Sequence, residues 1–494
     1  MMPAPPPAAT ATRLSAWRTA LFGAVGSAFS GVALTLGSSA LSSPLLLLGI
    51  PLALVFVVVM MLSPSLAFLT TAMIVPIERL GRLTDDSAAY TISLMRIVGT
   101  LALGSYLLHA LIKRQRLYFG GAFWLYLSYW GLALTGLFHS THMLGTVRAC
   151  GAILGNLLFF WLAINIGRSP RLARQAVSVW LVATVAAGIY TVVAWHFIGG
   201  VSDTDLTETS SRFSTVLTDN SEWEQLDLVA RATGPTSHSA VYGMNLILSI
   251  PLFLYFLKHA RTAWMKLLLI AALGITAYNV LLTNTRAVII VAALTVVGCG
   301  LRGLFRVTAS GLIATLVLGA AMLPFVPDAI WSRVLDSSNY NTQTSATLRI
   351  RFEYWATGLQ IAADNWLTGI GVGNEVEVPK HLKIETTETT TVHNQYIMTA
   401  MEVGVFGWLI FWGFVVLMLA AARRAERLAP RLLPKGDLNA DFFIAVQMSM
   451  LATMVFGGQV DVFQFPLKGW WLLAGLSWAL YRLMVDTDHA NNPR

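Results

Sequence analysis

One histidine lies at a boundary between polar and apolar sequence, where it could do acid-base chemistry. His393 belongs to the sequence Thr-Val-His-Asn-Gln-Tyr of residues 391–396, directly before a long apolar run. The unperturbed pKa of histidine is near neutrality, so such a side chain can take a proton from a hydroxyl group and contribute roughly 10²–10⁴ to a rate. The alternative is a histidine that only hydrogen-bonds the loop, and position alone favours that alternative.

Three arginines also border apolar runs. Arg231 precedes one run, Arg286 begins another, and Arg351 lies in the polar segment before His393. A guanidinium group stays charged and binds phosphate bidentately, so converging arginines suit a diphosphate and the charge that it gains on departure. The alternative for each is snorkelling or contact with lipid headgroups.

Arg286 is the sharpest of the three. The break Thr-Asn-Thr-Arg at residues 283–286 leaves no room for a solvated loop, so its charge must meet a cavity, a partner or headgroups. Five further residues are candidates for supporting roles: Arg212, Arg349, Asn394, Tyr396 and Tyr242.

Metal and cofactor sites lack clear support. The carboxylates of the predicted outer loops are scattered and form no paired acidic motif. Those on the same predicted face as His393 include Asp364, Glu375, Glu377 and Glu402. His381 and His393 do not make a metal site by themselves. The glycines of residues 369–373 lack the strand and helix of a dinucleotide fingerprint, so they predict a turn. We expect neither a metal nor a cofactor.

The composition and the apolar runs indicate which kind of secondary structure positions these residues. Of the 494 residues, 56% are hydrophobic and 12% are charged, against roughly 25% charged in soluble domains. Apolar runs of about 18–25 residues recur, each long enough to cross a bilayer core of roughly 30 Å as a helix. Strand-type alternation is absent, and backbone amides in lipid need partners within their own segment unless a sheet closes. The fold class predicted is an all-α polytopic membrane protein.

Fourteen apolar runs are candidate spans, or twelve if the short early ones merge or lie flat. They are residues 18–37, 43–62, 64–80, 90–112, 117–138, 144–166, 175–198, 236–257, 264–283, 287–303, 307–325, 396–421, 441–460 and 466–484. Basic residues orient the array, because Lys and Arg in short loops stay in the cytoplasm. The net charge of +8 is spread over such loops, so it indicates topology and no nucleic-acid partner.

The predicted organisation has five parts. Residues 1–15 are a disordered cytoplasmic tail, and residues 16–325 are transmembrane helices with a non-cytoplasmic loop at about 199–235. Residues 326–395 form a large loop on the same side, in which residues 349–363 predict an amphipathic helix at the membrane interface. Transmembrane helices over 396–484 and a cytoplasmic tail over 485–494 follow.

The large loop carries a pattern that resembles the O-antigen ligase and polymerase superfamily. Arg351 precedes Trp355 by four residues, and the turn Gly-Ile-Gly-Val-Gly-Asn follows at residues 369–374. His-Asn-Gln-Tyr at residues 393–396 then enters an apolar run with Glu-Val-Gly at residues 402–404. The order and spacing of these motifs fit the family.

Two upstream sites also resemble the family, so that the resemblance covers about the C-terminal half. They are Arg-Ala-Thr-Gly-Pro at residues 231–235 and the break at Arg286, where Asn-Thr stands in place of the serine of many members. The resemblance implies a GT-C-like, metal-independent glycosyltransferase at the periplasmic face of the bacterial inner membrane. It implies His393 as the base, Arg231 and Arg286 on the donor diphosphate, and Arg351 positioning the loop or donor.

Among the activities of the superfamily, the single His-Asn-x-Tyr fits a ligase best. An O-antigen ligase would transfer polysaccharide from undecaprenyl diphosphate to lipid A-core. The first alternative is an O-antigen polymerase. The second is a polysaccharide or lipid transporter or flippase, which the absence of a clear internal repeat and the location of the charges at one face disfavour.

Overall fold

The protein is described from a computed structural model. It covers residues 44–77, 93–197, 207–208, 231–236, 239–306, 337–374, 377–382, 392–433, 438–460 and 467–491. Helices α1 to α6 are Pro44–Leu62, Pro64–Ile74, Leu94–Ile112, Gly121–Thr135, Met143–Ile166 and Pro170–Phe197. The short strands β1, Thr207–Glu208, and β2, Arg231–Ala232, pair antiparallel. Helices α7 to α14 are Ser239–Lys258, Ala263–Leu282, Arg286–Leu301, Ser337–Asp364, Glu377–His381, Gln395–Leu432, Ala440–Gly457 and Lys468–Asn491.

The predicted fold class is confirmed: the chain is an all-α polytopic membrane protein. Among the described helices, seven are long and apolar enough to cross a membrane, namely α3, α5, α6, α7, α8, α12 and α13. Each of the fourteen predicted spans coincides with a helix except those near 18–37 and 307–325, which lie outside the described residues. Apolar run length therefore located these helices, and seven of them have the length and apolarity of a membrane span. The predicted number of twelve to fourteen spans stays a prediction.

Two predicted boundaries differ from the structure. The last helix runs to Asn491, so most of the predicted tail 485–494 is helical. Its extension is supported by Asp486, which contacts Arg482 one turn earlier at 3.3 Å and Arg168 at 3.1 Å. The helix of the large loop, α10, begins at Ser337 instead of residue 349. The prediction missed its first turns because they are polar and carry no apolar periodicity.

Two compact units share the chain. The first contains residues up to Ala67 together with Thr100–Gln115, and within it Ser105 Oγ donates to the carbonyl of Met61 at 3.1 Å. The second contains the remaining residues and all the helices from α4 onward.

In the second unit, α12 packs against α4, α10, α13 and α14, while α7 packs against α8, α9 and α13. Aromatic rings fill the space between α4, α12 and α14. Trp471 lies 4.6 Å from Tyr126 and 5.6 Å from Phe414, measured between ring centroids, and all three side chains are buried. Aromatic burial of this kind stabilises the arrangement of the helices around α12.

The contacts of α13 define two ends of this bundle. At one end Lys258 contacts Asp441 at 2.9 Å, and Gln447 Nε2 donates to Glu426 at 2.8 Å; we call this the Glu426 end. Midway, Ser449 Oγ donates to the carbonyl of Leu248 at 2.7 Å. The opposite end, where α13 finishes and α7, α9 and α12 begin, is called the His393 end.

Candidate functional site

The beginning of α12 fixes the backbone around His393. Asn394 is the N-cap, and its side-chain oxygen accepts hydrogen bonds from the backbone N–H groups of Tyr396 at 3.0 Å and Ile397 at 3.2 Å. Asparagine suits this position because its oxygen satisfies amides that lack a partner in the first turn. His393 therefore lies one residue before a capped helix, where the helix dipole is positive.

His393 has an unusual backbone conformation. Its φ is 52°, in the left-handed region, which costs an L-residue roughly 1–2 kcal/mol. Histidine tolerates this region better than most residues, but a strained non-glycine residue is typical of functional sites. The side chain is neither fully buried nor fully exposed.

Arg351 and Asn394 are brought together by one turn at the end of α13. Arg351 Nη1 donates to Gln459 Oε1 at 2.9 Å. Asn394 Nδ2 donates to the carbonyl of the preceding residue, Gly458, at 3.3 Å. The structure therefore joins two residues that were predicted separately, through a third, Gln459, that sequence reasoning missed. Its only sequence signal was the helix-ending pair Gly-Gly before it.

The large-loop helix is held beside His393 by Trp355. Its indole Nε1 donates to the carbonyl of Val392 at 3.0 Å. Val392 is buried in a cluster with Tyr354, Ile361 and Met401. Burial of this cluster connects α10 with the start of α12, so the helix that carries Arg351 and the residue before His393 form one packed layer.

The Gly-rich segment packs against a break in α12 and hydrogen-bonds to its backbone. Gly404 interrupts the helix with φ 64° and ψ −172°, which frees backbone groups on both sides. Those groups pair with the preceding loop: Ile370 N donates to Met401 O at 2.9 Å, and Val405 N donates to Trp366 O at 2.7 Å. The predicted turn is thus also an inserted segment that satisfies the broken helix.

Glu402 was expected among scattered carboxylates, but the structure gives it a specific role. It is only 3% exposed, and its Oε1 accepts from the backbone N–H of Gly373 at 2.7 Å. A buried carboxylate needs such donors. Asn374, fully buried, accepts from the backbone N–H of His142 at 2.9 Å and donates to Thr146 Oγ1 at 3.1 Å. Glu402 thus fastens the Gly-rich segment to α12, and Asn374 fastens it to α5 and the loop before it.

The cluster around Glu377 has a perturbed pKa. Thr141 Oγ1 donates to Glu377 Oε1 at 2.6 Å, and Lys380 Nζ donates to the same oxygen at 2.7 Å. Partial burial raises the pKa of Glu377, but the hydrogen bonds from Lys380 and Thr141 outweigh it and leave the pKa below its ordinary value.

Arg286 begins α9 at the His393 end, as the break in the apolar sequence predicted. Thr285 is the N-cap, but its side chain does not cap the helix. Its hydroxyl instead donates to the carbonyl of Thr283 at 2.9 Å and contacts Ser239 Oγ at 3.4 Å. Arg286 is exposed and lies at a positive helix end, an arrangement that favours anions.

The remaining predicted residues have varied positions. The backbone of Arg231 belongs to β2 and pairs with Glu208, and its neighbour Ala232 is buried against Tyr278 and Leu282. Arg349 lies in α10. Arg212 lies outside the described residues.

Both predicted tyrosines make helix contacts. The hydroxyl of Tyr242 donates to Asn279 Oδ1 at 2.9 Å in the buried contact between α7 and α8. That of Tyr396 donates to the carbonyl of Met454 at 2.9 Å, and its ring stacks on Trp412 with centroids 4.3 Å apart. Tyr396 therefore fixes the start of α12 against α13, while Tyr242 holds the helix that follows β2.

Metal-binding geometry is a separate question. Within the segments that the structure describes, no group of three or more His, Cys, Asp or Glu residues could hold a metal ion. Cys150 and Cys299 are free thiols buried in the helices. Metal independence stays a prediction.

Fold and site together define the class: a polytopic helical membrane protein with a histidine and arginines at one end of its bundle. A family described as O-antigen ligase matches residues 244–412, about a third of the 494 residues. The match supports the O-antigen ligase and polymerase superfamily, whose members are glycosyltransferase-like enzymes. It includes Arg286, Arg351 and His393. No curated protein matches the sequence.

Proposed function

We propose that this chain is an O-antigen ligase, which transfers polysaccharide from undecaprenyl diphosphate to a sugar hydroxyl of lipid A-core. The observation that carries the proposal is the shared support of His393 and Arg351. Asn394, next to the histidine, and Arg351 contact adjacent residues at the end of α13. A base and a phosphate-binding cation are thereby held within one small region, as in-line transfer requires.

His393 is the base in this proposal. The acceptor hydroxyl oxygen attacks the anomeric carbon as its proton passes to the imidazole. The bond between that carbon and the diphosphate oxygen breaks, and its electron pair leaves with undecaprenyl diphosphate. Attack opposite to the leaving group inverts the anomeric configuration. Proton transfer of this kind contributes roughly 10²–10⁴ to the rate.

Arg231, Arg286 and Arg351 bind the diphosphate. The starts of α9 and α12 are at the same end of the bundle, and both present positive helix ends there. Charge-assisted hydrogen bonds to phosphate oxygens strengthen as negative charge develops on the leaving group. Arg212 and Arg349 are proposed to support this set from the neighbouring loops.

The proposed location is the periplasmic face of the bacterial inner membrane. Lys258, Arg302 and Arg423 are at the Glu426 end, and basic residues in short loops are retained in the cytoplasm. The His393 end then faces the periplasm, where lipid-linked donor and lipid A-core are both within reach. We further propose a GT-C-like fold and a reaction without metal or cofactor.

The experiment that tests the proposal uses purified protein, undecaprenyl-diphosphate-linked glycan and lipid A-core. No nucleotide is added, and chelator is present throughout. The expected result is a gel-mobility shift of lipid A-core, which appears only when both lipids are supplied. Loss of transfer in chelator, restored by a divalent cation, would contradict metal independence.

Other products would replace the proposal. Lengthening of the glycan on its polyprenyl carrier, with lipid A-core unchanged, would indicate the polymerase. Movement of lipid-linked glycan across proteoliposomes without any covalent product would indicate a transporter or flippase.

A further inference from the structure

The last turn of α13 contacts three of the candidate site residues. The carbonyl of Met454 accepts from Tyr396 Oη at 2.9 Å, and that of Gly458 accepts from Asn394 Nδ2 at 3.3 Å. Carbonyls in the last turn of a helix lack partners within the helix. The side chains from α12 therefore complete α13 while they are themselves fixed by it.

Gln459 adds the contact with Arg351. Its backbone is held by a hydrogen bond from its N–H to the carbonyl of Phe456 at 2.9 Å, and Phe456 is fully buried. Its side-chain oxygen accepts from Arg351 Nη1 at 2.9 Å. The amide is thus presented from a rigid turn, and the negative helix end favours the guanidinium group beside it.

The chemistry of this contact suits an arginine that binds an anion. A carboxylate partner would hold a guanidinium group and neutralise it, whereas an amide oxygen holds it without adding negative charge. Gln459 also lies beyond residues 244–412, the segment that the family match covers, so its role comes from the geometry of this chain.

We propose that Gln459 is a positioning residue that holds Arg351 in register with His393 on the donor diphosphate. This inference rests on the proposed function. Gln459 does not touch the donor; it orients the guanidinium group through the hydrogen bond at 2.9 Å. Loss of a hydrogen bond to a charged group changes an equilibrium constant or a rate by about 10- to 100-fold.

The test compares two variants by steady-state transfer with purified protein. Gln459→Met keeps the length of the side chain and removes the acceptor. Gln459→Glu keeps an acceptor and adds negative charge beside Arg351. We expect Gln459→Met to lower kcat/KM for the donor by about 10- to 100-fold. We expect Gln459→Glu to raise the donor KM at least as much, although it preserves the hydrogen bond.

The response to Gln459→Glu separates positioning from packing. If Gln459 only stabilised the fold, glutamate would rescue activity, because its hydrogen bond to arginine is the stronger one. Gln447→Met is the matched control. Gln447 is on the same helix, and its side chain donates to Glu426 at 2.8 Å instead of contacting the candidate site residues, so this variant is expected to keep wild-type kcat/KM.

A double-mutant cycle with Arg351→Gln gives the decisive measurement. If Gln459 acts through Arg351, then Gln459→Met causes no further loss in the Arg351→Gln protein. Independent losses that multiply would overturn the inference, as would wild-type kinetics in both Gln459 variants. Should Gln459→Met fail to fold, the cycle is run with Gln459→Glu.

Failure of the proposed function gives a different pattern. In that case wild-type protein transfers no glycan to any acceptor, or Arg351→Gln and His393→Ala transfer it normally, and the inference fails with it. When wild-type protein is active and both of these variants are impaired, silent Gln459 variants overturn the inference alone.

Discussion

At the Glu426 end of the bundle, the described arginine contacts are made by a carboxylate, whereas at the His393 end the described contact of Arg351 is made by an amide. Glu426 contacts Arg302 at 2.8 Å and Arg423 at 2.6 Å. Arg351, by comparison, donates to the amide of Gln459 at 2.9 Å. The comparison teaches that arginine on its own has no fixed meaning: a carboxylate partner forms an ion pair with it, whereas an amide partner orients the guanidinium group without adding charge.

The largest effect is expected from histidine substitution at the two ends. His393→Ala should reduce transfer by roughly 10²–10⁴, because the proposed base is lost. His259→Ala is the matched control, since His259 contacts Asp441 at 2.8 Å at the Glu426 end, and it should leave transfer near normal. His393→Gly should be as inactive as His393→Ala. Its free energy of unfolding should exceed that of His393→Ala by about 1 kcal/mol, because glycine accepts φ 52°.

These outcomes are read by transfer assays and by thermal unfolding in detergent. Normal transfer by correctly inserted His393→Ala protein would refute the proposed base. Equal loss in both histidine variants would remove the distinction between the two ends.

Glycine substitution within α12 tests whether the His393 end depends on close backbone approach. A Cβ at residue 404 would collide with the carbonyl of Leu367, and φ there is 64°. Gly404→Ala should therefore lower the free energy of unfolding by about 2–5 kcal/mol. Gly413→Ala, on the same helix with open space around it, should have no cost. Equal melting temperatures for the two variants would argue against the break in α12.

Arginine substitution sharpens the comparison at moderate cost. Arg286→Gln should reduce kcat/KM for the donor by about 10- to 100-fold, because a charged hydrogen-bond donor to phosphate is lost. Arg302→Gln should leave kcat/KM nearly unchanged and lower stability by about 1 kcal/mol or less. The proposed diphosphate site would be wrong if Arg302→Gln impaired donor use more than Arg286→Gln did.

The smallest effect is a pH dependence from Glu377. Its folded-state pKa is lowered, so its stabilisation is present above the unfolded-state pKa of about 4.3 and is lost as pH falls through the folded-state value. We expect under about 1 kcal/mol from this partly exposed cluster. Between pH 7 and pH 3, the melting temperature should fall less steeply for Glu377→Gln than for wild type. If the melting temperatures of the two proteins fell in parallel, the acid sensitivity would come from groups other than Glu377.

The spans and the candidate residues differed in how well they could be predicted. Apolar run length located a helix at each predicted span within the described residues, because a helix in lipid is specified by its own residues. The break at Gly404 was not predicted, because a single glycine is common in such helices. Its conformation depends on Trp366 and Ile370, whose backbone groups pair with it only in the folded structure.

The sequence predicted which residues belong to the candidate site, but it did not predict the residues that contact them. The positions of Arg286, Arg351 and His393 at one end follow from the order of spans and loops. Gln459 lies 108 residues from Arg351, and no spacing rule connects them. Glu402 gave the opposite error, because a carboxylate that supports a backbone amide has the same sequence signature as one in solvent.

The break in α12 also has a consequence for biosynthesis. A helix interrupted at membrane depth exposes amide and carbonyl groups that lipid cannot satisfy. Their partners, residues 366 to 371, precede α12 in the chain and therefore leave the ribosome first. The loop is therefore synthesised before the broken helix, so the partners for its freed backbone groups are already present when α12 is made.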